Sequence, residues 1–534
     1  MSRPWETLYP PGLAWDAPLP SGTLPALLDH AVATWPERVA ITFRGAGMTY
    51  AELGGRVERL ARGLHALGVR PGDAVALLLP NTPAHPVAFF AVLRVGARVV
   101  HLTPLDPARA VLRKLEDSGA TLLITTNLPC VLPQALAAGR LVGVVAADDT
   151  QWGPGSDALP MPPGVREMTG LDGPDVAWPV VGPDDVALLQ YTGGTTGQPR
   201  AAQLTHGNLT SAVGIYDAWN VGYGRGFQAG DRMLCVLPLF HIYALTAVLL
   251  RAVANGVELV LHTRFVLAAV LDAIERGRVS HFAGVPTMWI AVAGAPRLES
   301  RDLSSLRVAS SGGAALPHEV GERLHALTGL RLGGGWGMTE TAPAGTNLVP
   351  GRVSAPGEIG VPLPAVDLEV VALEDPRRVL RQGEVGELRV RGPNVMPGYW
   401  RRPEENAAAF VDGWFLTGDV GRMEKDGRFI LVDRKKDMII SGGFNVYPRA
   451  IEEAIHEHGD VLEAAVIGVP DAYRGQAAKA FVVLREGAGA LTLEGLRAFL
   501  AERLGRHELP AALEIRDALP HTPVGKLAKR ALAS

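Results

Sequence analysis

The 534-residue sequence predicts a mixed α/β and α+β protein: a large N-terminal body of two α/β subdomains plus a small β subdomain, followed by a smaller α+β C-terminal domain. Three observations carry this. From about residue 24 to 146, and again from 186 to 311, apolar strands alternate with helical stretches, the pattern of a parallel sheet with crossover helices. From 366 to 391 the texture turns to β. Beyond 437 helices and strands mix in a separate unit.

Taken in order, Val57, Leu60, Leu64 and Leu67 fall on one helical face. The turn Arg70-Pro-Gly-Asp leads into a strand over 74–79, and further apolar runs at 99–102, 122–124 and 141–145 read as strands. The Pro-, Gly- and Asp-rich stretch 148–185 reads as a surface connection. Strands are then expected at 186–190, 232–237, 257–261, 281–285 and 307–310, with β segments at 368–371 and 386–390. In the last unit a helix is expected over 448–458, strands over 464–469 and 480–484, and a helix behind a Thr492 cap. The charge run Asp433-Arg-Lys-Lys-Asp437 reads as a solvated connector and, lying between two textures, as a hinge candidate.

Composition narrows the function classes. With 51 basic and 55 acidic side chains the net charge is −4, which gives no electrostatic footprint for nucleic acid. Hydrophobic residues at 47% exclude global disorder. Two cysteines, Cys130 and Cys235, can build neither a disulfide framework nor a zinc cluster, which fits a reducing cytosol. The N-terminus lacks an apolar leader. The apolar run 233–250 is interrupted by Pro238, His241 and Tyr243, so a buried strand, loop and helix is expected there rather than a membrane span. The expectation is a cytoplasmic enzyme without a transmembrane segment. Peripheral membrane contact and oligomeric state stay open.

The strongest chemical signal is Tyr191-Thr-Gly-Gly-Thr-Thr-Gly-Gln-Pro-Arg200. Glycines let the backbone approach a polyanion and expose successive N–H groups, threonine hydroxyls add donors, and Arg200 adds charge. No Gly-Lys-Ser/Thr closes the segment, so it is not a P-loop. A phosphate cradle is the better reading.

This segment resembles the nucleotide-phosphate loop of the adenylate-forming superfamily, which includes acyl-CoA synthetases, peptide-synthetase adenylation domains and luciferases. Pro238-Leu-Phe-His-Ile-Tyr243, Ser311-Gly-Gly-Ala-Ala315, Gly335-Trp-Gly-Met-Thr-Glu340, Gly357-Glu-Ile-Gly-Val-Pro362, Gly413-Trp-Phe-Leu-Thr-Gly-Asp419, Asp433-Arg-Lys-Lys-Asp437 and Pro523-Val-Gly-Lys526 follow in the order the superfamily uses. Two departures stand out. Arg200 replaces the usual lysine, and Ala450 replaces a usual glutamate after Asn445-Val-Tyr-Pro448.

The resemblance implies the site. Thr192, Gly193, Gly194, Thr195, Thr196, Gly197 and Arg200 would cradle the ATP phosphates. Gly313 and Ala314, with Gly335, Trp336, Gly337, Met338 and Thr339, would form the adenine and metal segments. Glu340 and Thr192 would bind Mg²⁺, a hard cation that takes oxygen donors. Asp419 and Arg434 would hold the ribose, and Lys436 would mark the pivot of the small domain. Gly442 and Gly443 would line the pantetheine channel of CoA, and His241 would contact the carboxylate or α-phosphate. Lys526 would bridge carboxylate and α-phosphate as the catalytic ammonium. Considered singly, a lone His is more often core, a Gly-Asp a turn and a lysine near a C-terminus a solvated charge.

The implied division is 1–432 for adenylation, 433–437 as hinge, and 438–534 as a mobile lid carrying Lys526. The implied reaction is activation of a carboxylic acid, expected to be a medium- or long-chain fatty acid, with ATP and transfer to CoA. Details such as Phe240-His-Ile-Tyr-Ala-Leu-Thr246 resemble bacterial long-chain fatty acid–CoA ligases. Aryl-CoA ligation, an acyl-carrier-protein acceptor and a catalytically silent AMP-binding protein are the alternatives. Residues 245–250, 285–290 and 341–347 are expected to shape an aliphatic acyl pocket with no basic group.

Overall fold

The computed structural model describes residues 3–139, 141–192, 200–314, 316–441, 444–471, 474–521 and 527–532. Among these, strands form four sheets. The first N-terminal sheet runs Gly398–Tyr399, Arg200–Thr205, Val186–Thr192, Arg98–His101, Ala74–Leu77, Leu122–Thr126, Gly143–Ala147 and Arg166–Glu167. Its pairs are parallel except at the edge, where Arg200–Thr205 runs antiparallel to both of its neighbours. The second runs Gly333–Gly334, Val308–Ser311, His281–Gly284, Arg232–Cys235, Glu258–Leu261, Val39–Phe43 and Ala46–Thr49. One hydrophobic core joins Val75 and Leu77 of the first sheet to Ile41 and Leu259 of the second. The helix Ala84–Arg94 is apolar all round and buried from Ala84 to Leu93, as a helix enclosed on every side must be.

Local capping sets the helix starts. Thr49 and Glu52 form a capping box for Tyr50–Ala66, and Thr205 and Asn208 form one for His206–Gly222. Asn81 ties the two halves together. Its Nδ2 donates to the Leu237 carbonyl at 2.9 Å and the His262 carbonyl at 3.1 Å, while Oδ1 accepts from Leu239 N–H at 2.8 Å. Its three bonds satisfy a side chain that is 3% exposed.

The third sheet orders Thr346–Asn347, Glu358–Pro362, Phe429–Arg434, Trp414–Met423, Gly386–Arg391 and Asp367–Val371, with Phe410–Val411 on its flank. The fourth orders Phe444–Val446, Ile439–Ser441, Gly475–Leu484 and Val461–Asp471, with Ala512–Ile515 parallel to Gly475–Leu484. Against it pack the helices Pro448–His456 and Leu493–Ala501, the latter capped by Thr492 as expected.

The α/β body, β unit and α+β unit follow the sequence reading, and in the charge run Arg434, Lys435 and Lys436 are exposed as a solvated connector should be, but Asp433 is not. Asp433 and Arg434 complete the strand Phe429–Arg434, and Asp433 is only 5% exposed. Its Oδ2 accepts from the Arg449 N–H at 2.7 Å, at the start of the helix Pro448–His456, and Oδ1 accepts from the Arg434 N–H. A carboxylate offered to the open N–H groups of a helix start explains why this charge sits inside rather than in solvent. The stretch 148–185 also holds a helical turn, Asp149–Trp152, with Asp149 and Trp152 buried, and a short strand, Arg166–Glu167. The run 233–250 divides into strand, loop and helical turns, and among the described residues no helix is long and apolar enough to cross a membrane.

Candidate active site

The strands Val186–Thr192 and Arg200–Thr205 pair so that Thr192 stands opposite Arg200. Gly193, Gly194, Thr195, Thr196 and Gly197 lie outside the described residues. The two flanking residues both line one cavity of about 1050 Å³. Arg200 is held from behind: its Nε lies 3.1 Å from Glu405 Oε2, and its guanidinium carbon is 5.8 Å from the centroid of the Tyr399 ring.

Gly335 to Glu340 line the same cavity. This segment must be glycine-rich because it runs against neighbouring backbone. A Cβ on Gly335 would stand 2.0 Å from the Thr346 carbonyl oxygen, and one on Gly337 1.5 Å from that of Pro343. Glu340 is 6% exposed, its Oε1 accepts from the Tyr399 hydroxyl at 2.8 Å, and burial pushes its carboxyl above the ordinary range. A buried carboxylate with one hydroxyl donor at the cavity wall suits a bound cation, which would balance its charge.

His241 lines the cavity at the start of the short helix Ile242–Ala244. Its Nδ1 accepts from the Tyr243 N–H at 3.3 Å, which assigns the proton of the neutral ring to Nε2. Arg434 and Lys436 also line the cavity, whereas Asp419 lies just behind the wall, 2% exposed. There Asp419 Oδ2 accepts from Trp336 Nε1 at 2.7 Å, and Arg434 Nε stands 3.0 Å from Oδ1. For Asp419 to meet a ribose diol, Arg434 must turn aside. Gly313 reaches the wall; Ala314, exposed, does not. Gly442, Gly443 and Lys526 lie outside the described residues, but Leu527, next after Lys526, lines the cavity. His521 and Leu527 form an antiparallel bridge around that segment.

The cavity continues inward to an end lined by Tyr216 and Asn220 of the helix His206–Gly222, by Arg225, by Arg251, and by His281 of the strand His281–Gly284. Arg251 is 6% exposed, and its Nε donates to Asp217 Oδ1 at 2.8 Å. This corrects the expectation of an aliphatic pocket without a basic group. Of 245–250 only Ala247 reaches the wall; of 341–347 Pro343, Thr346 and Asn347 do, and of 285–290 none.

Comparison with known proteins shows which family the chain belongs to. Residues 28–400 match the AMP-binding enzyme family, and residues 450–526 match the AMP-binding enzyme C-terminal domain. A long-chain-fatty-acid–CoA ligase of Bacillus subtilis is 36% identical over 556 residues, covering 99% of this chain and 97% of the relative. The chain belongs to the AMP-binding enzymes, the adenylate-forming acyl- and aryl-CoA ligases. A feruloyl-CoA synthase from Amycolatopsis is 42% identical over 510 residues, covering 94% of this chain and 98% of that one. Among solved structures, o-succinylbenzoate coenzyme A synthetase from Bacillus subtilis, in complex with ATP and magnesium ion, superposes with a TM-score of 0.81 at 30% identity. That match covers 95% of this chain and 99% of the other.

The motif reading thus leads to Thr192, Arg200 and Gly335 to Glu340 in the cavity wall and misses the side chains that support them. Tyr399 and Glu405, which hold Glu340 and Arg200, belong to no glycine motif. Arg251 and Tyr216 were missed as well. A signal did exist for Arg251: it is the charge that ends the apolar run 233–250.

Proposed function

We propose that this protein is an ATP-dependent, AMP-forming acyl-CoA ligase. A carboxylate oxygen of the acid attacks the α-phosphorus of ATP, the bond to the bridging oxygen breaks, and pyrophosphate leaves an acyl-adenylate. The sulfur of CoA then attacks the acyl carbon, AMP leaves, and the thiol proton is released. The observation that carries this reading is a single cavity lined by Thr192 and Arg200, by Glu340, and by Tyr216 and Arg251. One such cavity can hold a nucleotide and an acid together with their reacting groups meeting inside it.

In this reading Arg200 and the loop 193–197 bind the phosphates, Gly313, Ala314 and Gly335 to Thr339 flank the adenine, and Asp419 with Arg434 takes the ribose. His241 Nε2–H donates to the carboxylate or the α-phosphate, steadied by its Nδ1 bond to Tyr243. Glu340, with Thr192, would hold Mg²⁺, which when bound neutralises charge on the departing pyrophosphate. Lys526 presents an ammonium between the two anions, and the cavity-lining position of Leu527 supports that role. The segment 433–437 acts as hinge between an adenylation domain, 1–432, and a lid, 438–534, whose rotation brings Gly442 and Gly443 to the CoA channel.

The Bacillus relative supports a medium- or long-chain fatty acid as substrate; the Amycolatopsis relative supports an aromatic one. Tyr216, Trp219, Tyr243 and Arg251 along the inner wall favour a ring-bearing or oxygenated acid over a plain alkyl chain. The test is pyrophosphate release with ATP across short to long alkanoic acids and aromatic acids, with and without CoA. Release that requires an acid, and a thioester that requires CoA, is the expected result. No release with any acid would overturn the ligase reading. Release without a CoA thioester would favour a carrier-protein acceptor.

A further inference from the structure

We infer that the acid this protein activates carries an oxygen function at the end remote from its reacting carboxylate, and that Arg251 and Tyr216 receive that oxygen. The inference rests on the ligase reading above and adds the substrate class. Arg251 is pinned along one edge only. Its Nε donates to Asp217 Oδ1, and Asn255 Nδ2 donates to Asp217 Oδ2, each at 2.8 Å. Among the described residues its two terminal nitrogens make no hydrogen bond, although the side chain is buried in the cavity wall.

The Tyr216 hydroxyl, in the same wall, likewise makes no hydrogen bond among the described residues, and the Arg251 guanidinium carbon lies 5.8 Å from its ring centroid. Phe227 links this pair to His281: its ring centroid is 4.9 Å from the Arg251 guanidinium carbon and 4.4 Å from the imidazole centroid. His281, also in the wall and 1% exposed, has an Nε2 without a hydrogen-bond partner. Half-buried Arg225 adds a second cation at this end, with no ion pair among the described residues.

Most of these groups are donors, so the end is built for an oxygen acceptor. An alkyl terminus driven into it would leave the guanidinium nitrogens and the phenol cut off from water and unpaired. A site built to bond a substrate oxygen rejects the analogue that lacks it far more strongly than an apolar pocket rejects an extra methylene. Because Asp217 already balances Arg251, a neutral hydroxyl suffices; Arg225 leaves room for a second carboxylate. The competing account is packing alone, in which Asp217, Arg251 and Asn255 merely tie two helical segments together.

The test uses the full chain with ATP, magnesium and CoA on matched acids: decanoate, ω-hydroxydecanoate and decanedioate, and cinnamate, para-hydroxycinnamate and para-carboxycinnamate. Within at least one set, kcat/KM for an oxygenated acid is expected to exceed that of its unsubstituted partner by about a hundredfold. Whether hydroxyl or carboxylate leads identifies the source of the oxygen. In Tyr216→Phe, which leaves the Asp217 pair untouched, that preference is expected to fall about tenfold, through KM rather than kcat. Arg251→Gln is expected to lower it further. Equal activity on the unsubstituted acids, or a preference that Tyr216→Phe leaves intact, overturns the inference. No turnover of any acid overturns the ligase reading instead.

Discussion

Thr192, Arg200 and Glu340, in one part of the cavity wall, sit on strand ends and loops, whereas in the other Tyr216 and Arg251 project from helices and His281 from the first position of a strand. The difference has a chemical cause. Phosphates are bound largely by backbone N–H groups, which need glycine and hence a recognisable run of residues. An acyl group is bound by side chains that happen to face inward from elements placed by the rest of the fold. One end is therefore written in short runs of consecutive residues, and the other in single residues 35 and then 30 positions apart, from Tyr216 to Arg251 to His281.

The sharpest way to break this contrast is at the nucleotide end. In the proposed reading catalysis there depends on a few charges placed in advance, with Lys526 the most demanding of them. Lys526→Ala is expected to slow acyl-adenylate formation about a thousandfold while leaving thioester formation from supplied acyl-adenylate nearly intact. Pyrophosphate release measures the first step, and CoA thioester formed from synthetic acyl-adenylate measures the second. Equal loss in both would mean that the lysine supports the lid rather than the chemistry.

The same contrast explains what could be read from the sequence. The parallel strands were legible because each is a short apolar run bounded by turns, and 122–124 or 281–285 miss the observed ends by a residue or two. The strand Arg200–Thr205 was not, because Arg-Ala-Ala-Gln-Leu-Thr has little β character of its own and is held by pairing with Val186–Thr192. Asp433 was misread as solvated because nothing local announces that a helix start will arrive beside it. At the site, the glycine-rich segments led straight to Thr192, Gly335 and Glu340. The inner end was invisible: Tyr216 looks like any helical tyrosine until the fold turns it toward Arg251.

The inner end can be tested for its own energetics. Burial, and then the charge of Arg251, push the His281 imidazole down to about 3, despite Asp231 facing it; Arg307, Ser280 and the Arg225 backbone are further polar neighbours. A histidine depressed in the folded state stabilises the fold fully above its unfolded pKa near 6.5 and loses that contribution as pH falls. Between pH 7 and pH 5 this amounts to about 2 kcal/mol. His281→Asn is expected to remove that part of the acid sensitivity, read from denaturant midpoints at the two pH values. An unchanged pH slope would show that the ring already takes up its proton in the folded protein.

The smallest effect is expected at Arg200, where the superfamily resemblance implies a lysine. Its guanidinium has Glu405 behind it and the Tyr399 ring within reach, so part of its function is to brace the wall that also holds Glu340 through the Tyr399 hydroxyl. A lysine there keeps the charge for the phosphates but loses the planar group that meets the ring and the carboxylate together. If charge is what the nucleotide end requires, Arg200→Lys lowers the rate of pyrophosphate release by less than about tenfold, a cost under about 1.4 kcal/mol. A collapse of activity, with Glu405→Gln producing the same loss, would instead make guanidinium geometry part of the site. The nucleotide end would then rely on braced side chains as heavily as the inner end does.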